Sequence, residues 1–190
     1  MTNWETEISS SGEDAVIRGE KLEEVMDMEF ADAIWLLLKG EKPSEKESDI
    51  FNTILSSSID HGVGNPSTVS ARTVQSGGND MNTSVAGGIL ALGDSHGGAI
   101  EECMEILQSK KTADEIVSEY LEKGDNIPGI GHKVYSDEDP RAQKMLEKAE
   151  ELNLAGENVE KMKEIQSVFA ERKVDLVMNV DGAIAAVMSD

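Results

Sequence analysis

Gly129-Ile130-Gly131-His132-Lys133-Val134-Tyr135, with Asp139-Pro140-Arg141-Ala142 close behind, decides how this chain is read. The glycines either side of Ile130 allow close backbone approach and unusual dihedral angles. Histidine, lysine and tyrosine follow at once, in a break where chemistry is well placed when helices hold it rigid. Asp139 then suits a helix cap and Pro140 the first helical position. Met145, Leu146 and Ala149 continue that helix at spacings of three and four. At its start, Arg141 and the first-turn amides point toward a possible anion; a surface salt bridge is the plain alternative.

The same alternation of helix and glycine-rich break extends outward. Toward the N-terminus, Thr112 with Glu115 forms a capping box, and Gly124 stops the helix it opens. A helix from about Ile100 to Leu107 follows the break Ser95 to Gly98. Met81 to Leu92 is rich in small residues (Ala86, Gly87, Gly88, Ala91), as suits a crowded core helix or a homodimer interface. Its two glycines each cost roughly 1 kcal/mol of helix propensity, which close packing should offset. Asn65 can cap a helix beginning at Pro66 and running to about Val74. Ser44 with Glu47 is a second capping box, for a helix through Ile50, Ile54 and Leu55. Leu22, Val25, Met26, Phe30, Ala33, Ile34, Leu37 and Leu38 predict two short helices or one interrupted one, ending at Gly40. Residues 1 to 20 read as an irregular or short extended arm. Toward the C-terminus, a helix spans roughly Val159 to Phe169. Val174 to Val180 could be a short strand before a last helix. The expected class is all-α.

Composition narrows the function classes. There are 38 acidic and 17 basic residues, a formal net charge of -21. Such a surface repels nucleic-acid phosphates and anionic membranes, so neither is an expected partner. The acids are interleaved with apolar residues, which sets the chain apart from a disordered acidic tail. A salt-rich cytoplasm, where screening makes the charge tolerable, is the sharper expectation, and a well-hydrated soluble surface the plainer one. An anionic ligand would need positive groups concentrated at its site. The single cysteine, Cys103, excludes an intrachain disulfide and reads as a buried inert thiol. The run Val85 to Gly93 is far below the ~20 apolar residues of a membrane span. No cleavable N-terminal signal is recognisable, so the expected location is cytoplasmic.

All three histidines sit in breaks: His61 before Gly62, His96 before Gly97, His132 after Gly131. A functional cluster and scattered structural turns are equally compatible with that. Zinc on three histidines lacks any supporting ligand spacing, so no metal is expected. Asp181 lies in Leu176-Val177-Met178-Asn179-Val180-Asp181-Gly182. A carboxylate in so apolar a run is expensive unless hydrogen-bonded, and such surroundings suit a general acid or base. A helix cap is its alternative. The glycine loops match neither a Walker nor a dinucleotide pattern.

Taken in order, these segments resemble the citrate synthase superfamily, including citryl-CoA lyases and the citrate-cleaving module of ATP-citrate lyase. Asp60-His61-Gly62 with Ser67-Thr68 looks like its first signature and His96-Gly97-Gly98-Ala99 its second. Gly129 to Tyr135 with Asp139 to Ala142 looks like the third, and Asn179-Val180-Asp181 the segment of its catalytic aspartate. The N-terminal part, from Trp4 through the Ala31 to Gly40 stretch, also looks like a family N-terminus. Short archaeal-type citrate synthase-like proteins are among the nearest forms.

The resemblance implies a large helical domain, 1–124 with 174–190, and a small helical lobe, 125–173. Relatives continue well beyond the aspartate segment, so it also implies a large domain truncated at its C-terminus, lacking a tail that carries a further anion-binding arginine. It assigns proton abstraction from acetyl-CoA to Asp181, stabilisation of the enolate to His96, and polarisation of the oxaloacetate ketone to His132. His61 and Arg141 would bind substrate carboxylate or keto groups. Lys133 stands where many relatives have arginine, keeping the charge and losing the fork. Substrates would be oxaloacetate or citrate and CoA thioesters, with coenzyme A a substrate, no tightly bound cofactor, and a homodimer as the working form. Wording around Ser58 to Gly62 and Asn179 to Gly182 looks nearer the citryl-CoA lyase branch. Citrate synthase is the close alternative, and a non-catalytic CoA-binding dimerisation module the rival from another class.

Overall fold

The computed structural model describes residues 6–10, 15–60, 62–94, 96–132, 135–172 and 176–190. Two compact units divide the chain, Met1–Ser56 and Ser57–Asp190. The described residues are predominantly helical, in accord with the all-α expectation.

In the first unit, the arm forms three two-residue strands, β1 (Ser9–Ser10), β2 (Val16–Ile17) and β3 (Glu20–Lys21), paired antiparallel in that order. Arg18 and Gly19 turn β2 into β3 with φ of 50° and 85°, the left-handed pair that a tight hairpin requires. The periodicity from Leu22 resolves into two helices, α1 (Leu22–Met26) and α2 (Phe30–Lys39). Gly40 closes α2 at φ 85°, its N–H donating to the Leu36 carbonyl. The Ser44 box opens α3 (Glu45–Ser57): Glu47 accepts from the Ser44 N–H at 2.7 Å. Leu36, Ile50 and Phe51 are buried, and Trp35 meets Phe51 edge-on with centroids 5.3 Å apart.

The second unit holds α4 (Pro66–Ser76), α5 (Met81–Ile89), α6 (Ala99–Gln108), α7 (Ala113–Lys123), α8 (Pro140–Glu151), α9 (Glu157–Glu171) and α10 (Val180–Ser189). Helix α10 is its axis. Val180 and every residue from Gly182 to Val187 are buried, against α6, α8 and α9. Its alanines and glycine let those neighbours close in, and Met145, Met162, Ile165 and Phe169 fill the remaining space. Helices α6 and α10 run parallel. Cys103 lies at the Gly182 end, where both it and Gly182 meet Gly129, while Gln108 and Ser189 meet at the other. The small residues of α5 seat it on α4, with Gly87 against Val74 and Gly88 against Ser67 and Ala71.

Capping follows the sequence closely. Asn65 accepts from the Thr68 N–H, Thr112 and Glu115 form the full reciprocal box, and Gly124 ends α7 at φ 73°. The strand expected over Val174 to Val180 shrinks, among its described residues, to one bridge between Met178 and Ile130, and α10 takes Val180. Asn179 ends the extended run, because its side chain accepts from the Asp181 and Gly182 N–H groups and starts a helix. No helix among the described residues is long and apolar enough to cross a membrane.

Candidate active site

The break after α7 is tied to the entry of α10 by backbone bonds. Gly131 N–H donates to the Val177 carbonyl at 2.7 Å and Asn179 N–H to the Gly129 carbonyl at 3.0 Å. The Asn179 amide adds a bond to the Gly131 carbonyl at 2.8 Å. Gly129 has φ 83°, and a Cβ there would lie 2.6 Å from the Gly182 Cα and 2.9 Å from the Cys103 Sγ. Glycine at 129 and 182 therefore sets the approach of the His132 loop to the helix bearing Asp181.

His132 leaves this loop beneath the ring of Tyr135, their centroids 4.6 Å apart. The Tyr135 N–H donates to Nδ1 at 3.1 Å, and an Arg141 terminal nitrogen lies 3.2 Å from Nε2. A neutral imidazole has one acceptor nitrogen. The ring therefore accepts from Tyr135 when its proton is on Nε2, and from Arg141 when that proton is on Nδ1. Arg141 is gripped by Asp139, which accepts from Nε at 3.1 Å and from the terminal nitrogen at 2.8 Å. Asp139 is fully buried. Burial pushes its carboxyl upward, but the hydrogen bonds and charge of Arg141, with the Val180 N–H, outweigh that and hold it below the usual range.

Asp181 is the second residue of α10 and is half-buried. Its charge is felt at Cys103, whose thiol is pushed up to about 12 by burial first and by Asp181 second. That agrees with the inert thiol expected at 103.

His96 belongs to a separate cluster. It sits in a turn closed by reciprocal backbone bonds with Gly93, at 2.9 and 2.8 Å. Gly97 has φ 99°, and a Cβ on Gly98 would lie 2.8 Å from the Asp94 Cα, so the two glycines after His96 are demanded by the turn. The Ser67 N–H and Oγ lie 3.3 and 3.0 Å from Nε2. Ser67 Oγ donates its own hydrogen to Asn65 Oδ1 at 2.8 Å, so Nε2 accepts from the Ser67 N–H alone, and in that tautomer a neutral ring carries its proton on Nδ1. No described hydrogen bond joins His96 to His132 or Asp181. The link is α6, which begins at Ala99 and runs parallel with α10.

His61 and Lys133 lie outside the described residues. The structure thus joins His132 and Arg141 directly, connects both to the start of α10, and holds His96 on α4. Sequence reasoning saw Asp139 as a cap alone. Its second role, counter-ion to an arginine two residues on, is foreshadowed only by the shared helix start. Among the described residues no group of three or more His, Cys, Asp or Glu side chains could hold a metal ion.

One pattern unites the clusters. Ser67, Arg141 and Asp181 are each the second residue of a helix, and His96 precedes one. A helix N-terminus carries roughly half a positive charge on its exposed amides. At these starts the amides are bonded within the chain: Arg141 and Val180 to Asp139, Asp181 and Gly182 to Asn179, and Ser67 to His96.

The family described as "Citrate synthase, C-terminal domain" matches residues 13–190. The structure of citryl-CoA lyase from Hydrogenobacter thermophilus is similar over 98% of this chain and 75% of that one, with TM-score 0.89 and 44% identity. ATP citrate lyase from Methanothrix soehngenii, in complex with citrate and coenzyme A, is similar with TM-score 0.89 and 28% identity, over 99% of this chain and 32% of that one. Citrate synthase from Haloferax volcanii is 35% identical over 153 residues, 76% of this chain and 40% of that protein. The chain therefore spans well under half of that relative's length.

Proposed function

The chain belongs to the citrate synthase family, and on that premise we propose that it is a citryl-CoA lyase, cleaving citryl-CoA to oxaloacetate and acetyl-CoA. The observation that carries the choice of branch is the likeness to citryl-CoA lyase from Hydrogenobacter thermophilus, at 44% identity over nearly the whole chain. The geometry supports the roles. His132, with its own proton on Nδ1, takes the citryl hydroxyl proton on Nε2 in exchange for its bond from Arg141, and Arg141 beside it holds a substrate carboxylate. The carbon–carbon electron pair moves onto the carbon next to the thioester, and the charge spreads to the thioester oxygen. His96 stabilises that oxygen through Nδ1–H, its other nitrogen being occupied by Ser67. Protonated Asp181 delivers a proton to the carbon, giving acetyl-CoA. The enzyme ends with a proton gained at His132 and one lost at Asp181, and exchange with water resets both. His61 and Lys133 complete the proposed substrate contacts.

A second copy of the chain is the proposed partner. Met81, Val85, Ile89 and Leu92 form an exposed stripe on and just beyond α5, opposite its face on α4. Between Pro66 and Gly93 the only formal charges are Arg72 and Asp80. Two molecules of charge -21 can approach over such a neutral strip with least repulsion. We place the protein in the cytoplasm, with no nucleic acid or membrane as partner.

Product analysis separates the branches. Citryl-CoA incubated with the protein should yield oxaloacetate and acetyl-CoA in equal amounts. Citrate and free coenzyme A as main products would make the protein a synthase, the reading favoured by the likeness to the Haloferax volcanii enzyme.

A further inference from the structure

We propose that Asp139 is a positioning residue that fixes the substrate-binding arginine and the helix of the catalytic aspartate to each other through one carboxylate. The role assigned to that helix rests on the lyase reading; the link itself rests on geometry alone. Oδ1 accepts from the Arg141 N–H at 3.0 Å, which caps α8, and from Arg141 Nε at 3.1 Å. Oδ2 accepts from the Arg141 terminal nitrogen at 2.8 Å and from the Val180 N–H at 3.1 Å. Val180 is the first residue of α10, and the next two N–H groups are taken by Asn179. Asp139 therefore supplies the missing part of the α10 cap while serving as the cap of α8. It is 0% exposed, so no water replaces either bond if the carboxylate is lost.

The grip also shapes what Arg141 offers. Asp139 takes Nε and one terminal nitrogen of the guanidinium, and that same nitrogen faces His132. The other terminal nitrogen has no partner among the described residues and is the edge left for a ligand carboxylate. Asp139 thus sets the distance between the group that holds one end of the substrate and the carboxylate that protonates the new methyl group. An asparagine has the same shape but turns an N–H2 toward two donors, whichever way it is placed. Serine keeps a single acceptor and can cap one helix but not join two.

The test compares wild type, Asp139→Asn, Asp139→Ser and Arg141→Gln, with Asp139→Asn also placed in the Arg141→Gln background. Circular dichroism identifies variants that fold, and Asp139→Ser serves if Asp139→Asn does not. Amide exchange should become about tenfold faster at Val180 to Gly182 in the Asp139 variants, and stay unchanged there in Arg141→Gln. Turnover should show kcat lowered about 100-fold by Asp139→Asn, as a misplacement of about 1 Å produces. A further fall in kcat should persist in the Arg141→Gln background. Unchanged exchange at α10 would overturn the link. An Asp139→Asn effect on kcat that vanishes once Arg141 is gone would overturn the joint positioning. Wild type without turnover would count against the lyase reading, while the exchange comparison still decides the link.

Discussion

Gly182 leaves no room for a side chain, since the Gly129 backbone and the Met162 methyl occupy the place a Cβ would take. Gly182→Ala is expected to lower stability by about 1–3 kcal/mol despite alanine's better helix propensity, because overpacking outweighs that gain. A urea midpoint equal to wild type would show that the two backbones need not touch. Cys103 should resist alkylation in the native protein, its thiol held near 12 and 1% exposed, and react once unfolded. Rapid native labelling at neutral pH would contradict the packing around Gly129. For Asp139 the folded value lies below the unfolded one of about 3.9, so its contribution to stability is present above about pH 4. That contribution is lost as pH falls through the depressed folded value, and Asp139→Asn should remove this part of the acid dependence. Urea unfolding of both proteins from pH 2 to 7 reads it out. At this scale the turns holding His96 and His132 were legible because each histidine interrupts a helical pattern with a glycine beside it. Asp139 was half legible. Its cap is local and follows from Asp-Pro, but its bond to Val180 crosses 41 positions and nothing nearby in the sequence encodes it.

Helix starts and stops were the most legible features of the elements, since a cap is a contract between residues three or four apart. Asn65, Thr112 with Glu115, Gly40 and Gly124 all behave as their types require. Long-range caps were hidden. Asp190 accepts from the Gly156, Asn158 and Val159 N–H groups at 2.6, 2.8 and 3.1 Å, capping α9 from the end of α10. Lys161, one turn into α9, ties in the close of α6 at the same end by donating to the Leu107 and Ser109 carbonyls, each at 2.8 Å. Asp190→Ala should cost about 0.5–2 kcal/mol in thermal or urea unfolding, the usual worth of an N-cap. The α5 stripe makes a different prediction. Ile89→Glu places two like charges at the proposed twofold contact, so sedimentation should shift from dimer to monomer. A wild type that is monomeric throughout would remove α5 as an interface. The strand expected before α10 failed because a run of β-branched and apolar residues does not reveal where an asparagine will divert the backbone into a helix.

Across the whole molecule the acidic residues outnumber the basic ones, 38 to 17, so like charges repel over its surface. Charge that repels at long range is screened by salt. Unfolding midpoint should therefore rise with KCl as repulsion among 38 acidic side chains is screened, and no rise would leave the acidity without a stabilising role for salt. Fold class was legible from periodicity and caps alone. No local pattern says that α6 and α10 lie side by side, or that the loop of His132 is bonded to the entry of α10. His96, His132 and Asp181 are proposed to act on one carbon–carbon bond. The direct measurement is release of oxaloacetate from citryl-CoA by wild type and by Asp181→Asn, at low and high KCl. Turnover by wild type, with loss of about 100-fold or more in the folded variant, is the predicted result. Equal release by both proteins, or none by wild type at any salt concentration, would contradict it.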